Sequence, residues 1–198
     1  MTEIKLFNKW DTNFQVSDPG LVRYINLTPL LVPKTQGRNV KVQFWKSKNN
    51  IVERLMGKLK VPGHRSKKHL LSSGHISSKG IHTYKLVKET LELIEKKTGK
   101  NPVEVFVRAI ENAAPREEIT TIEYGGARYS QALECAPQRR VDLALKFMVQ
   151  GSYQKSFGKK KSIKETLADE IINASNMETS SAAVAKKLEI ERQADASR

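Results

Sequence analysis

The positive charge of this chain is concentrated in one stretch. Residues 34–88 hold 14 Lys and Arg against a single acid, Glu53, a net of +13, while the whole chain carries +14. The 33 residues before this stretch are neutral, and residues 89–198 have 18 basic against 17 acidic side chains. A block that repels itself raises the energy of a compact state unless a polyanion neutralises it. The basic stretch therefore needs a partner. Nucleic acid fits, because each phosphate that meets a Lys or Arg releases a condensed counterion. Short charge runs are usually just solvated faces. This one is long, holds one acid and is mixed with Gly, Ser, Asn and His.

A chain of 198 residues with 38% hydrophobic content supports one good core with polar extensions. The single cysteine, Cys135, excludes an internal disulfide and fits a reducing compartment. Met1–Trp10 has no apolar stretch of the signal-peptide kind. No apolar run approaches the roughly 20 residues a bilayer span needs. The expectation is a soluble, cytoplasmic protein with no membrane partner.

Residues 1–50 read as an extended N-terminal arm, because Pro19, Gly20, Pro29, Pro33 and Gly37 interrupt every helical pattern. Trp10, Phe14, Leu30 and Leu31 are its candidate anchors. Residues 51–198 form the helical part. Ile51, Leu55 and Leu59 predict a short helix over 51–60. Residues 61–80 follow as a long basic loop, in which 62–80 carry three Gly and five Ser without apolar period. Tyr84, Val87, Leu91 and Ile94 predict the next helix, stopped at Gly99. Asn101, Pro102 and Glu104 read as N-cap, first-turn proline and capping-box acid of a helix whose face is Val103, Phe106, Val107 and Ile110.

Residues 117–135 change character. EEITTIEY and ARYSQALEC flank Gly125-Gly126, a two-residue hairpin signal. The turn pairs Tyr124 with Ala127, Glu123 with Arg128 and Ile122 with Tyr129. Neither face is clearly apolar, so the hairpin is expected to project. Beyond Pro137, a helix carries Val141, Ala144, Leu145, Met148 and Val149 on one face. The basic turn at 158–161 leads to Ser162 and Glu165, a second capping box, and a helix packing through Ile163, Leu167, Ile171 and Ala174. A last helix near 181–193 has Val184 and Leu188 inside. The fold class read from these patterns is mainly α: a bundle of about six helices with one protruding β-hairpin and an N-terminal arm.

Arg139 and Arg140 stand in the first turn of a helix, where the macrodipole disfavours cations and free N–H groups attract anions. Phosphate at that end resolves the conflict. An ion pair with Glu134 or Asp142 is the structural alternative. Lys58, Lys60, His64, Arg65, Lys67, Lys68 and His69 form the densest cation cluster and match an electrostatic footprint for RNA. Arg38, Lys41, Lys46, Lys48, Lys79, Arg116, Lys159, Lys160 and Lys161 complete the candidate nucleic-acid contacts. His64, His69, His75 and His82 fit no structural zinc spacing, so no metal and no other cofactor is expected. Cys135 has no local activating motif and reads as a packed thiol. No phosphate-binding glycine loop of either common kind is present, and nothing argues for catalysis or a small-molecule substrate.

Ala109-Ile110-Glu111-Asn112, Pro115, the hairpin at Gly125-Gly126, Pro137-x-Arg139-Arg140-Val141 and Leu167-Ala168-Asp169-Glu170-Ile171-Ile172-x-Ala174 resemble the universal small-subunit ribosomal protein S-seven family. The resemblance runs in order through residues 50–198. Ile4-Lys5-Leu6-Phe7 with Trp10, and the tail from Lys186 to Arg198, are similar to its archaeal and eukaryotic branch, the archaeal side in particular. The resemblance implies a non-catalytic constituent of the small subunit that binds the 3′ major domain of small-subunit rRNA and nucleates head assembly. It implies a place at the subunit interface, near the decoding region, the exit-site tRNA and the mRNA, with head and platform proteins including S-eleven as neighbours. Gly125, Gly126 and Arg128 would be the hairpin tip facing tRNA and mRNA, and Arg139 and Arg140 would face rRNA. The loop at 61–78 is much longer than in the bacterial pattern, and residue-by-residue carry-over stops there. A free-standing RNA- or DNA-binding helical module and an RNA-processing enzyme using a loop histidine are the competing readings.

Overall fold

Asn50 and Asn101 start two helices by the same device. Each side-chain oxygen accepts the backbone N–H two residues on, at 2.9 Å from Val52 and 3.0 Å from Val103. This satisfies one of the donors a helix leaves free at its first turn. The computed structural model describes residues 4–63 and 76–198. Among them are α1 (Ile51–Lys60), α2 (Gly80–Thr98), α3 (Pro102–Ala113), α4 (Pro137–Ser156), α5 (Ile163–Ser175) and α6 (Ala182–Asp195), with strands β1 (Glu117–Tyr124) and β2 (Ala127–Glu134) between α3 and α4. Gly99 closes α2 in the left-handed region at φ 66°, its N–H bonded to Glu95 O at 2.8 Å. No described helix is long and apolar enough to cross a membrane.

α5 is the centre of the bundle and packs against α2, α3 and α4. Its Leu167, Ala168, Ile171 and Ala174 are fully buried, together with Phe106 and Ile110 of α3, Leu91 and Ile94 of α2, and Leu145 and Met148 of α4. Each large apolar side chain buried this completely contributes about 1.5–3 kcal/mol. Asn112 of α3 closes the C-terminal end of α5 by donating to Ala174 O and Ser175 O at 3.0 and 2.8 Å.

The serines that start α5 and α6 behave differently. Ser162 makes no side-chain cap at α5, because its carbonyl already takes the N–H groups of Glu165 and Thr166 in a tight first turn. At α6 the Ser181 hydroxyl accepts from Val184 N–H at 3.3 Å and donates to Glu170 Oε1 at 2.7 Å. Glu170 is fully buried, and it also accepts from Ala183 N–H at 3.0 Å and Lys155 Nζ at 2.7 Å. One buried carboxylate thus ties three helices together. Gly151 lets α4 and α6 touch there, since a Cβ on it would lie 2.5 Å from Ala182 Cβ. Val184 is buried as expected, but Leu188 is exposed. The inner face of α6 consists of Ala183, Val184 and Ala194, and Leu188 borders an open groove beside β1.

The hairpin has the predicted register, with Tyr124 opposite Ala127 and Glu123 opposite Arg128. Gly125 and Gly126 have φ of 58° and 82°, the left-handed pair that a two-residue turn of this twist requires. Its base is held. Cys135 N–H bonds Arg116 O at 2.8 Å, Arg116 N–H bonds Glu191 Oε1 of α6 at 3.0 Å, and Arg198 pairs with Glu117. Beyond the base both strands are almost wholly exposed, so the ribbon projects.

Residues 4–50 form no long element, only short 3-10 turns at Val22–Tyr24, Arg38–Val40 and Trp45–Lys48. The segment wraps the bundle as a strap. A tight turn through Phe7 and Asn8 bonds Leu6 N–H to Trp10 O at 2.9 Å. This buries Leu6, Phe7 and Trp10 against α2, where Phe7 meets Tyr84 and Trp10 Nε1 donates to Glu95 at 3.0 Å. Asn101 Nδ2 donates to Asp11 O across the start of α3, and Glu111 accepts from the N–H groups of Ser17 and Asp18. Leu21 and Ile25 are buried further on, and Ile51 N–H reaches back to Asn26 O at 3.0 Å. Of the expected anchors, Trp10 is buried and Phe14 packs on the core, while Leu31 is exposed.

Candidate nucleic-acid interface

The one acid of the basic stretch does not neutralise it. Glu53 points its Oε1 at the backbone N–H and hydroxyl of Thr35, 2.8 Å from each, and its Oε2 is buried. Among the described residues Arg38, Lys41, Lys58, Lys60 and Lys79 therefore have no carboxylate partner. Their charge is free to meet phosphate.

The cations fall into two groups. The first surrounds the start of α4. Lys46 and Arg54 both pair with Asp142, which fastens the 3-10 turn at Trp45–Lys48 to the helix. Arg140 pairs with Asp18 at 2.8 Å and also donates to Pro115 O. Arg139 pairs with Glu118 of β1 at 2.6 Å. Arg116, Arg38, Lys41 and Lys48 lie on the segments that meet here. The expected alternative partners of the two arginines, Glu134 and Asp142, are not the ones found. Asp142 is taken by Lys46 and Arg54, and Glu118 rather than Glu134 stands on the side of the ribbon facing α4. Ala136 offers no side-chain cap, Pro137 has no N–H, and the first turn holds no acid, so this helix end remains electropositive.

The second group lies where α1 ends and α2 begins. Ser78 Oγ donates to Lys60 O at 2.6 Å, and the Lys60 ammonium sits 3.7 Å from the Cβ position of Gly80. Lys58 and Lys79 flank this junction. A groove lined by Lys34, Thr35, Val40, Gly57, Lys60 and Gly80 connects it to the strap. The turn after α4 carries Lys159 and Lys160, both exposed, and Lys161, which pairs with Asp169. His64, Arg65, Lys67, Lys68, His69 and His75 lie outside the described residues. Gly125, Gly126 and Arg128 sit at the far end of the ribbon, where Arg128 makes a loose 3.5 Å pair with Glu123.

The carboxylates that organise the first group stay ionised. Burial works against the charge on Asp18, but hydrogen bonds from Arg140 and from Gly20 N–H outweigh it and hold the carboxyl below its ordinary value. Burial likewise opposes Asp142, and the Lys46 and Arg54 contacts overcome it in the same direction. The Glu118 hydrogen bond raises the pKa of Arg139. Burial, followed by the charge of Glu118, pushes the Cys135 thiol up to about 11, so it is no thiolate at neutral pH. Among the described residues no group of three or more His, Cys, Asp or Glu side chains is placed to hold a metal ion.

Two residues of this surface escape the sequence reading. Phe44 and Trp45 stand exposed among Lys41, Lys46 and Lys48. The available signal was aromatic side chains interleaved with lysines, in VKVQFWKSK.

Comparison with known proteins places the chain. The profile of the family described as Ribosomal protein S7p/S5e matches residues 23–198. The small ribosomal subunit protein uS7 of Nanoarchaeum equitans is 53% identical over 197 residues, covering 99% of this chain and 100% of that protein. The proteins of the same name from Methanosphaera stadtmanae and Methanothermobacter thermautotrophicus are 49% and 46% identical, over 95% and 94% of this chain and 95% of each relative. A mainly α bundle with a projecting hairpin, a basic surface only partly matched by its own acids, and matches of this extent all agree: the chain belongs to the ribosomal protein S7p/S5e family.

Proposed function

We propose that this protein holds small-subunit rRNA through both cation groups at once, with the strap linking them. As a member of a ribosomal protein family it is a structural constituent of the small ribosomal subunit, in the cytoplasm, and not an enzyme. The observation that carries the finer reading is the inward turn of Glu53. With the one acid of the stretch turned to Thr35, Arg38, Lys41, Lys58, Lys60 and Lys79 find no carboxylate among the described residues, and an external polyanion would offset this excess of like charge. The RNA is the 3′ major domain, and binding there nucleates the head. Arg139 exchanges Glu118 for a phosphate at the open end of α4, while Arg140 holds the strap in place beside it. The ribbon tip, Gly125, Gly126 and Arg128, reaches beyond the rRNA toward exit-site tRNA and mRNA, with protein S-eleven among the neighbours.

The test is a titration of the full chain with a 3′ major domain transcript over a range of salt. The logarithm of affinity falls against the logarithm of salt by about 0.7–0.9 per phosphate neutralised. Replacing Lys41, Lys58, Lys60 and Lys79 by Ala should flatten that slope by about 3. An unchanged slope would remove these four from the interface. Equal affinity for an unrelated transcript of the same length would remove the assignment to the 3′ major domain.

A further inference from the structure

Four apolar side chains stand out of the strap on its basic half: Val40, Val42, Phe44 and Trp45, with 80%, 45%, 64% and 37% of their surfaces exposed. Burying them against the bundle would drag Lys41, Lys46 and Lys48 out of water with them. The strap instead builds a turn that holds the aromatics outward. Phe44 adopts φ 68°, in the left-handed region that a bulky residue enters only when its surroundings impose it. Ser47 closes the turn after it, by donating both its N–H and its hydroxyl to Phe44 O at 3.2 and 3.0 Å. The turn is fixed to the body where Lys46 pairs with Asp142 of α4, and within the strap Asn26 donates to Lys48 O and Asn39 donates to Asn49. The Lys48 ammonium lies 3.8 Å from the Trp45 ring centroid.

We propose that Phe44 and Trp45 form a stacking ledge for unpaired bases of single-stranded RNA, with Lys41 and Lys48 engaging the adjoining phosphates. The proposal rests on the reading of this surface as an rRNA interface and adds the class of RNA it takes. Three features favour a base over an apolar protein face. The rings are ringed by cations with no free acid beside them. A nucleobase offers a flat π-face that stacks on an aromatic ring whatever its identity. An ammonium already resting on an indole marks where a cation can slide off to a phosphate as the base arrives. Bases inside an RNA duplex are stacked on one another and cannot use such a ledge, so the ledge selects loops, bulges and ends. Because the turn is built before RNA arrives, little ordering is lost on binding.

The test compares the full-length wild-type chain with the double variant Phe44→Leu, Trp45→Leu, which keeps the apolar character and the charge but removes both rings. The probes are an unstructured single-stranded oligoadenylate and an RNA duplex with the same number of phosphates. The double variant should bind the single strand about 10-fold or more weakly, at an unchanged salt slope, because no phosphate contact is lost. Its duplex affinity should stay within about 2-fold, since duplex contacts are to phosphates alone. Phe44→Tyr with Trp45→Tyr should restore single-strand binding. Photo-crosslinking of a 5-iodouridine strand to the wild-type protein gives an independent readout, with adducts expected at residue 44 or 45. Unchanged single-strand affinity, an equal loss on the duplex, or adducts only elsewhere would overturn the ledge. The first of these would point to an apolar protein neighbour instead. If the wild type also failed to bind a 3′ major domain transcript, the rRNA reading would fall with it. If it bound that transcript normally, only the ledge would fall.

Discussion

Trp10 and Trp45 are carried by the same strap and meet opposite fates. Trp10 is 4% exposed, packed edge-on against Phe7 and bonded to Glu95, whereas Trp45 is turned out beneath a lysine. The first half of the strap, up to residue 33, is neutral, while the second half begins the +13 block. A neutral segment can bury its aromatics by matching its backbone N–H groups to carboxylates of the bundle, as Glu111 does for Ser17 and Asp18. A basic segment would have to desolvate its lysines, at several kcal/mol each, to do the same. It is pinned by the Lys46–Asp142 ion pair and the Thr35–Glu53 hydrogen bonds and leaves the rest of its surface for a partner. Charge, more than hydrophobicity, decides which half of the strap is structure and which is interface.

The largest effect should come from exchanging the roles of the two tryptophans. Trp10→Ala opens a cavity in the core and should lower unfolding free energy by about 3–5 kcal/mol in denaturant titrations. Trp45→Ala should change it by no more than about 0.5 kcal/mol. Comparable losses for the two would mean that the basic half is also part of the core.

Next come the neighbouring arginines. Arg140 is largely buried and satisfies Asp18 and Pro115 O, so Arg140→Gln should cost about 1–3 kcal/mol of stability. Arg139 is half exposed, and Arg139→Gln should cost at most about 1 kcal/mol while weakening rRNA binding. The sequence placed both in one phosphate site because they share a helix turn. It could not show that Asp18, 122 residues away in the chain, claims one of them.

This contrast marks how far the sequence could be read. α1 was legible from the helical spacing of Ile51, Leu55 and Leu59, and α3 because its start signal, Asn101, acts within two residues. The hairpin register followed from Gly125-Gly126 alone, since a two-residue turn leaves one pairing. The path of the strap was not legible. It is set by a few long-range bonds to Glu95, Glu111 and Arg140, and ordinary charged side chains on helix surfaces carry no local mark of such a role. Leu188 misled for the opposite reason. Its spacing from Val184 is helical, but the neighbour that would have covered it, the ribbon, leaves a groove there.

Acid should loosen the strap before the bundle. Asp18 and Asp142 have folded-state values below the ordinary 3.8. Their contribution is fully present above the unfolded value and is lost as pH falls through the folded one. Thermal unfolding followed from pH 6 to pH 2 should show a loss beginning near pH 4. The variant Asp18→Asn with Asp142→Asn should start lower and lose less on acidification. A parallel profile for wild type and variant would mean that other carboxylates carry the acid transition.

The ribbon tip should give the smallest change of all in stability, and it tests whether display without anchoring extends beyond the strap. Tyr124 is 81% exposed, and past the base the strands touch little but each other. Deleting residues 124–128 and closing the turn with Asn-Gly should shift unfolding by less than about 0.5 kcal/mol, as for surface changes away from caps and core. The base stays tied through Cys135, Arg116 and Glu191, so the shortened hairpin keeps its root. Affinity for the 3′ major domain transcript should remain near wild type, because Arg128 is the only cation removed and it reaches away from both cation groups. Exit-site tRNA retention and translational fidelity should change in ribosomes assembled with the variant. Normal values for both would leave the tip without its assigned partner, whereas a large loss of stability would make the ribbon an anchor like Trp10 and not a displayed surface like Trp45.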